Sequence, residues 1–278
     1  MVVSTSEGSH PLDQYLRTAR LPNIWCPGCG IGIALGSVLR AIDKRIKEGV
    51  LKKENVVFVT GIGCSARTSF YVNFDAAHTL HGRAIAFATG AKLAKPELEV
   101  IVIGGDGDIA GIGGNHLLHA AKRNMDLIVL MITNFVYAMT GGQVAPTTPL
   151  GLYTTTTPYG NLEPPLNVVK VVSSLNANYV ARASVTHPAL IEQYVYRALG
   201  MRGFRFVEIL STCPEVFGRH IGIRDPLTLY NSLKSKVIVK QSPSVEESDL
   251  DWEKSLVIGE YLIRDSPSYI DRIKGMVR

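Results

Sequence analysis

The sequence predicts an α/β fold built on a doubly wound, mostly parallel sheet, and three observations predict it. Four short runs rich in Val, Ile or Phe read as buried strands, longer segments with helical spacing lie between them, and the runs end in residues that carry chemistry. The runs are Val56–Thr60, Val100–Gly104, Leu127–Thr133 and Phe204–Leu210. The helical segments are Ile31–Lys47, Arg83–Leu93, Asn115–Arg123 and Pro188–Leu199. Strand followed by helix, repeated, is the pattern of a parallel sheet with helices on both faces.

Two stretches depart from that rhythm. Gln143–Pro165 carries Pro146, Pro149, the threonines Thr154 to Thr157, Pro158, Pro164 and Pro165, and is expected to be a long irregular loop. Loops of that length in compact domains are usually functional or mobile. After about Gly218 the alternation fades, and Gln241–Asp251 is polar, acidic and rich in serine. A division is therefore expected into a domain over residues 1–217 and a C-terminal extension over 218–278, an appendage that packs on the domain or on a partner subunit.

The bulk properties exclude some classes of function. With 278 residues, 46% hydrophobic and 19% charged, the chain can bury the core of one large domain. Its net charge of +5 is dispersed without a polybasic block, which argues against a nucleic-acid partner. Apolar runs such as Leu127–Ile132 fall far short of the roughly 20 residues a membrane helix needs. Met1–His10 is polar and lacks the layout of a signal peptide, so a cytoplasmic location is expected. In that reducing compartment the four cysteines read as metal ligands or spectators rather than disulfides.

Ligands of open parallel sheets bind outside the carboxyl ends of the strands. Here those ends lead into Gly61-Ile62-Gly63-Cys64, Gly105-Asp106-Gly107-Asp108, Asn134, and Ser211-Thr212-Cys213. Gly105, Gly107 and Ala110 fit the dinucleotide pattern G-x-G-x-x-A, with Asp126 about 20 residues on. Against that reading, Asp106 lies where a pyrophosphate would approach, and like charges a few ångströms apart repel by several kcal/mol at an effective dielectric of ~20. A divalent cation reverses the sign. Mg²⁺ takes octahedral oxygen ligands, and with Asp106 as one of them Asn134 can supply another.

Cys26-Pro27-Gly28-Cys29 is a C-x-x-C hook before a helix. A redox pair, half of a zinc site and half of an iron–sulfur site all begin this way. The redox pair lacks a preceding strand. Zinc usually pairs two such hooks, whereas Cys64 and Cys213 are single; spacing alone leaves zinc and iron–sulfur both open.

The G-D-G at Gly105–Gly107, followed by Asn134 and by Tyr137-Ala138-Met139-Thr140-Gly141-Gly142-Gln143, resembles the β subunits of 2-oxoacid:ferredoxin oxidoreductases, as does His78-Thr79-Leu80-His81-Gly82-Arg83. The departures are Thr133, where the signature usually has an Asn, and Ala138 in place of a usual glycine. The resemblance implies the thiamine-diphosphate-binding fold, with Mg²⁺ held by Asp106, the side chain of Asn134 and the backbone carbonyl of Val136. It implies further cofactor contacts at Gly63, His81, Gly105, Gly107, Asp108, Ala138, Met139 and Thr140. It also implies a [4Fe-4S] cluster on Cys26, Cys29, Cys64 and Cys213, which uses every cysteine of the chain.

Arg67 matches a position where such subunits place a basic residue toward the substrate carboxylate. The family's reaction is the oxidative decarboxylation of a 2-oxoacid with coenzyme A, electrons passing to ferredoxin. An α subunit supplies the glutamate that activates thiamine, so this chain is expected to work only as half of a heteromer. The His-Thr-Leu-His-Gly-Arg wording is closer to 2-oxoglutarate and broad-specificity members. Two other readings stand beside this one: a nicotinamide-dependent oxidoreductase using Gly105, Gly107 and Ala110, and an electron-transfer subunit that keeps the cluster without thiamine.

Overall fold

A computed structural model of the chain describes residues 10–276. An eight-stranded sheet forms its centre, built from β1 (Val56–Thr60), β2 (Asp75–His78), β3 (Glu99–Gly105), β4 (Leu127–Thr133), β7 (Tyr179–Ser184), β8 (Phe204–Leu210), β9 (Val237–Val239) and β10 (Leu256–Ile263). Two short strands, β5 (Val136–Tyr137) and β6 (Gln143–Val144), pair with each other outside it. The helices are α1 (Ile31–Lys47), α2 (Thr68–Tyr71), α3 (Ala84–Ala94), α4 (Gly114–Arg123), α5 (Val168–Ser173), α6 (Pro188–Leu199), α7 (Pro226–Lys236) and α8 (Tyr269–Met276). The strands run in the order β2-β1-β3-β4-β8-β7-β10-β9. All neighbours are parallel except β10, which is antiparallel to β7. The expected α/β class and mostly parallel sheet are what the chain forms.

Period-two alternation along the central strands divides the core in two. Ile101 and Ile103 of β3 join Ile128 and Leu130 of β4 on the face covered by α1 and α6. Val100 and Val102 join Leu127 and Val129 on the face covered by α3 and α4. Every residue of β4 is buried, as a parallel strand covered on both sides must be.

Helix ends are set locally. Lys44, Arg45 and Lys47 crowd the last turn of α1, where cations oppose the helix dipole. Pro188 opens α6 at a position whose N–H has no intrahelical partner. Asn124 closes α4 in the left-handed conformation, φ +52°. Its side chain accepts from Phe204 N at 2.7 Å and donates to Asn178 Oδ1 at 3.2 Å.

Beyond Gly218 the alternation continues where the sequence pattern faded. The apolar run Leu256–Ile263 enters the sheet as β10, and β9 adds an edge beside it. The long loop is irregular as expected, apart from the short β6.

Charge is buried inside this sheet in two places. At the amino ends of the strands Asp126 is met by Lys92, Arg202 and Arg205, and Arg205 also reaches Glu99. Nearer the carboxyl edge Arg182 and Glu208 face each other across β7 and β8, with Nε 2.6 Å from Oε2.

Candidate active site

β1, β3, β4 and β8 are consecutive neighbours, so the four sequence stretches that follow them meet along one edge. Two adjoining cavities open there. A small one, about 90 Å³, is lined by Gly63, Ser65, His81, Gly105 to Asp108, Asn134, and Val136 to Thr140 among others. A larger one, about 300 Å³, is lined by all four cysteines together with Trp25, Arg67, Asn134 and Met139.

Asp106 stands at the turn from β3 into a π-helical stretch, Gly107–Ile112, and is 1% exposed. It accepts from Gly107 N at 2.9 Å, from Phe135 N at 2.9 Å and from the hydroxyl of Thr147. Burial pushes its carboxyl up to about 6, and those three donors only partly offset the cost. Gly107 has no room for a side chain: a Cβ there would lie 2.3 Å from the Tyr137 ring. At Gly105 the nearest such contact is 3.5 Å, which leaves the backbone open to a ligand. Tyr137 locks the turn by donating to Gly107 O at 3.0 Å.

The Asn134 side chain points one atom at Asp106 Oδ1, 3.2 Å away, and at the carbonyl oxygen of Val136, 2.8 Å away. Turned with its nitrogen inward, the amide donates to both; turned with its oxygen inward, it completes a trio of oxygens. Three oxygens facing one another repel unless a cation lies among them. Carboxylate, amide and peptide oxygens are the donor set that a hard divalent ion prefers. Phe135, between two of these donors, is held at φ +69°, which costs free energy in a residue with a Cβ and puts neighbouring backbone where the trio needs it. The donors present therefore suit Mg²⁺ with a bound diphosphate, although among the described residues no three His, Cys, Asp or Glu side chains converge closely enough to hold a single metal ion.

The cysteine cavity also suits its group. Burial raises the Cys29 thiol to about 12, with the nearby Cys213, Cys64 and Cys26 adding to the effect. Cys64 is raised by burial first and by Cys26 second; Cys213 is raised by burial, opposed by backbone donors from Phe217 and Val216, with smaller contributions from Cys64 and Cys26. Buried thiols held up by burial and by neighbouring sulfur, as Cys29, Cys64 and Cys213 are, favour a positively charged centre that takes them as thiolates. Backbone groups of Ile31, and of Phe217 and Val216, already bond the sulfurs of Cys29 and Cys213. Such contacts to ligating sulfur are one lever on the potential of an iron–sulfur centre. Cys26 is the exposed member, so the group would approach the surface on that side.

The remaining site residues fall as follows. His81 and Asp108 line the small cavity, bonded to each other. Thr140 donates to Gln143 within the loop, at 2.5 Å. Arg67 lies at the cysteine cavity with its guanidinium 5.7 Å from the centre of the Phe70 ring. Asp126, the acid of the dinucleotide pattern, precedes β4 at the opposite end of the sheet and is bound by arginines and Lys92, so the glycine turn is not a dinucleotide fingerprint.

Sequence reasoning missed Thr147 and Thr148. Thr147 donates to Asp106, and Thr148 bonds Phe135 O at 2.6 Å, which braces the strained residue. Their only signal was membership of the proline-rich loop. Trp25 was missed as well; its indole reaches the Cys64 loop.

Fold and site together define a thiamine-diphosphate-binding domain, and residues 61–209 match the family described as thiamine pyrophosphate enzyme, C-terminal TPP binding domain. The chain is 42% identical over 268 residues to the 2-oxoglutarate synthase subunit KorB of Methanothermobacter thermautotrophicus, covering 96% of this chain and 92% of that one. It is 46% identical over 250 residues to the subunit of the same name from Archaeoglobus fulgidus, covering 89% and 90%. A solved 2-oxoglutarate:ferredoxin oxidoreductase from Magnetococcus marinus, with 2-oxoglutarate, coenzyme A and succinyl-CoA bound, superposes with a TM-score of 0.83 at 29% identity over 98% of this chain and 91% of that one. The chain belongs to the family of 2-oxoacid:ferredoxin oxidoreductase β subunits.

Proposed function

We propose that this chain carries the Mg²⁺–thiamine diphosphate and the [4Fe-4S] cluster of an oxidoreductase that converts a 2-oxoacid, 2-oxoglutarate in the first instance, and coenzyme A to acyl-CoA and CO₂. Two electrons leave for ferredoxin. The observation that carries the proposal is the meeting of the Asp106 carboxylate, the Asn134 amide and the Val136 carbonyl beside a cavity lined by all four cysteines. Bound there, thiamine diphosphate supplies the nucleophile and electron sink that allow a 2-oxoacid to lose CO₂, and the cluster supplies a one-electron acceptor.

The chain's own residues have narrower tasks. Asp106, Asn134 and the Val136 carbonyl hold the cation, and the open backbone at Gly105 lets the diphosphate approach. Cys26, Cys29, Cys64 and Cys213 hold the cluster as thiolates. Arg67 is placed to pair with a substrate carboxylate, since a guanidinium meets two carboxylate oxygens at once. No glutamate lines the small cavity among the described residues, which supports an α subunit as the source of the group that activates thiamine. Among the described residues no helix is long and apolar enough to cross a membrane, and we place the enzyme in the cytoplasm.

The test is anaerobic purification of the chain with a co-expressed α subunit, followed by cofactor analysis and a viologen assay across 2-oxoacids. Iron, acid-labile sulfide, magnesium and thiamine diphosphate together, with reduction driven best by 2-oxoglutarate, are the expected result. Zinc or a nicotinamide in their place would overturn the proposal, and a cluster without thiamine would reduce the chain to an electron carrier.

A further inference from the structure

Two residues beyond Asp106 the same turn buries a second carboxylate. Asp108 is 2% exposed. Its Oδ1 accepts from three donors on two other loops: His81 Nδ1 at 2.6 Å, Gly82 N at 2.7 Å and Ile62 N at 3.2 Å. Its Oδ2 has no partner and lies against the backbone of Gly61 and Gly104, where a Cβ would come within 2.2 and 2.8 Å of it. Any side chain at either glycine would evict the carboxylate. Three loops are thus shaped around one anion that contacts neither Asn134 nor the Val136 carbonyl in its hydrogen bonding.

We infer that Asp108 is a positioning residue for His81, and that its task is to turn the imidazole so that Nε2 faces the diphosphate. The inference rests on the reading of the small cavity as a diphosphate site. A carboxylate oxygen can only accept, so its 2.6 Å contact requires the hydrogen on Nδ1. Nε2 is then the one ring nitrogen left for a ligand, on a side chain that lines the cavity and is 32% exposed.

Facing a diphosphate, Nε2 serves only as a donor, so the bound cofactor and the Nδ1 contact together call for hydrogen on both ring nitrogens. The Tyr137 ring, edge-on to the imidazole at 6.0 Å, limits its rotation from another side. Because the same Oδ1 holds Ile62 N, the loop that ends at Cys64 is fastened to the His81 turn by one atom.

The experiment measures thiamine diphosphate binding by calorimetry in the presence of Mg²⁺, on the full chain in the assembly with which it purifies. It compares the unaltered protein, Asp108→Asn, His81→Gln and the double variant. Asparagine keeps the shape and the accepting oxygen but removes the charge. Each single variant is expected to weaken binding by about 10- to 100-fold, the loss that follows removal of a charge-assisted hydrogen bond. The double variant is expected to bind no more weakly than the worse single one, because the two residues act through one contact.

Unchanged affinity in Asp108→Asn, or losses that multiply in the double variant, would overturn the inference. Absence of binding by the unaltered protein is a different result, and would overturn the diphosphate reading and this inference with it. A measurement without variants runs beside these: nitrogen shifts of the labelled histidine in the unaltered protein should show hydrogen on Nδ1, and a neutral ring with hydrogen on Nε2 alone would sink the assignment even if Asp108→Asn failed to fold.

Discussion

Trp25 donates its indole N–H to the backbone carbonyl of Cys64 at 2.8 Å, which ties the loop bearing Cys26 and Cys29 to the loop bearing Cys64. The ring also packs on Tyr71, whose hydroxyl accepts from Ile24 N at 2.9 Å. Trp25→Phe removes the tie while keeping most of the packing. A hydrogen bond of this kind is worth about 1 kcal/mol, so the cluster should be lost in air roughly fivefold faster. The decay of its visible absorbance in aerated buffer measures this.

Asp106→Asn keeps the shape and one accepting oxygen, which can serve Phe135 N and the Thr147 hydroxyl while Gly107 N loses its partner, so the protein should fold with reduced stability. It should nevertheless bind Mg²⁺ and thiamine diphosphate at least about 100-fold more weakly, because removing one partner of a desolvated charge pair costs about 3–5 kcal/mol. Calorimetric titration with and without EDTA gives the figure.

For Arg67 the expected signature is a split between kinetic constants. Arg67→Ala should raise KM for 2-oxoglutarate by about 10- to 100-fold, as loss of a charge-assisted pair does. The change in kcat should be much smaller, and the KM for coenzyme A should not move. A fall in kcat with KM unchanged would remove Arg67 from the substrate.

The amino end of the sheet gives a pH dependence. Burial pulls the Asp126 carboxyl upward, but Arg205, Lys92 and Arg202 outweigh it and leave the carboxyl below the ordinary value of 3.8. A carboxylate depressed in the folded protein contributes stability that is complete above the unfolded value and is lost as pH falls through the folded one. Melting curves should therefore show an acid-labile component below about pH 4. Asp126→Asn should abolish that component and cost about 3–5 kcal/mol at neutral pH, because it leaves Lys92 buried without its counter-charge and Arg205 with Glu99 alone.

Much of the fold could be read from the chain alone because the runs that became β1, β4 and β8 are apolar at most positions and nothing competes with that signal. β7 escaped for a physical reason. Its sequence, Tyr179–Ser184, carries Arg182, which reads as a surface residue until its partner is known. That partner, Glu208, lies on another strand, and only the register of β7 against β8 sets them opposite each other.

The site divides along the same line. Asp106, Asn134 and the cysteines were legible because carboxylate, amide and thiol are rare at strand ends. Thr147 was not, since a threonine among many in a loop gains meaning only when folding brings it to Asp106. Thr133, a departure from the usual signature, donates to Glu208 Oε1 at 2.8 Å, so a residue that looked like an erosion of the motif is anchored in the sheet.

The two cavities share a partition made of Ile31, Cys64, Ile132, Asn134, Ala138 and Met139. Only the amide of Asn134 in that set carries a strong dipole. Were a cluster seated among the cysteines, as proposed, this partition would put mostly hydrocarbon and sulfur between it and the inner cavity, with little to reorient when charge moves. The cluster side would open toward exposed Cys26 and Ile24, which is 65% exposed, so the wall that separates the two chambers would also be what joins them.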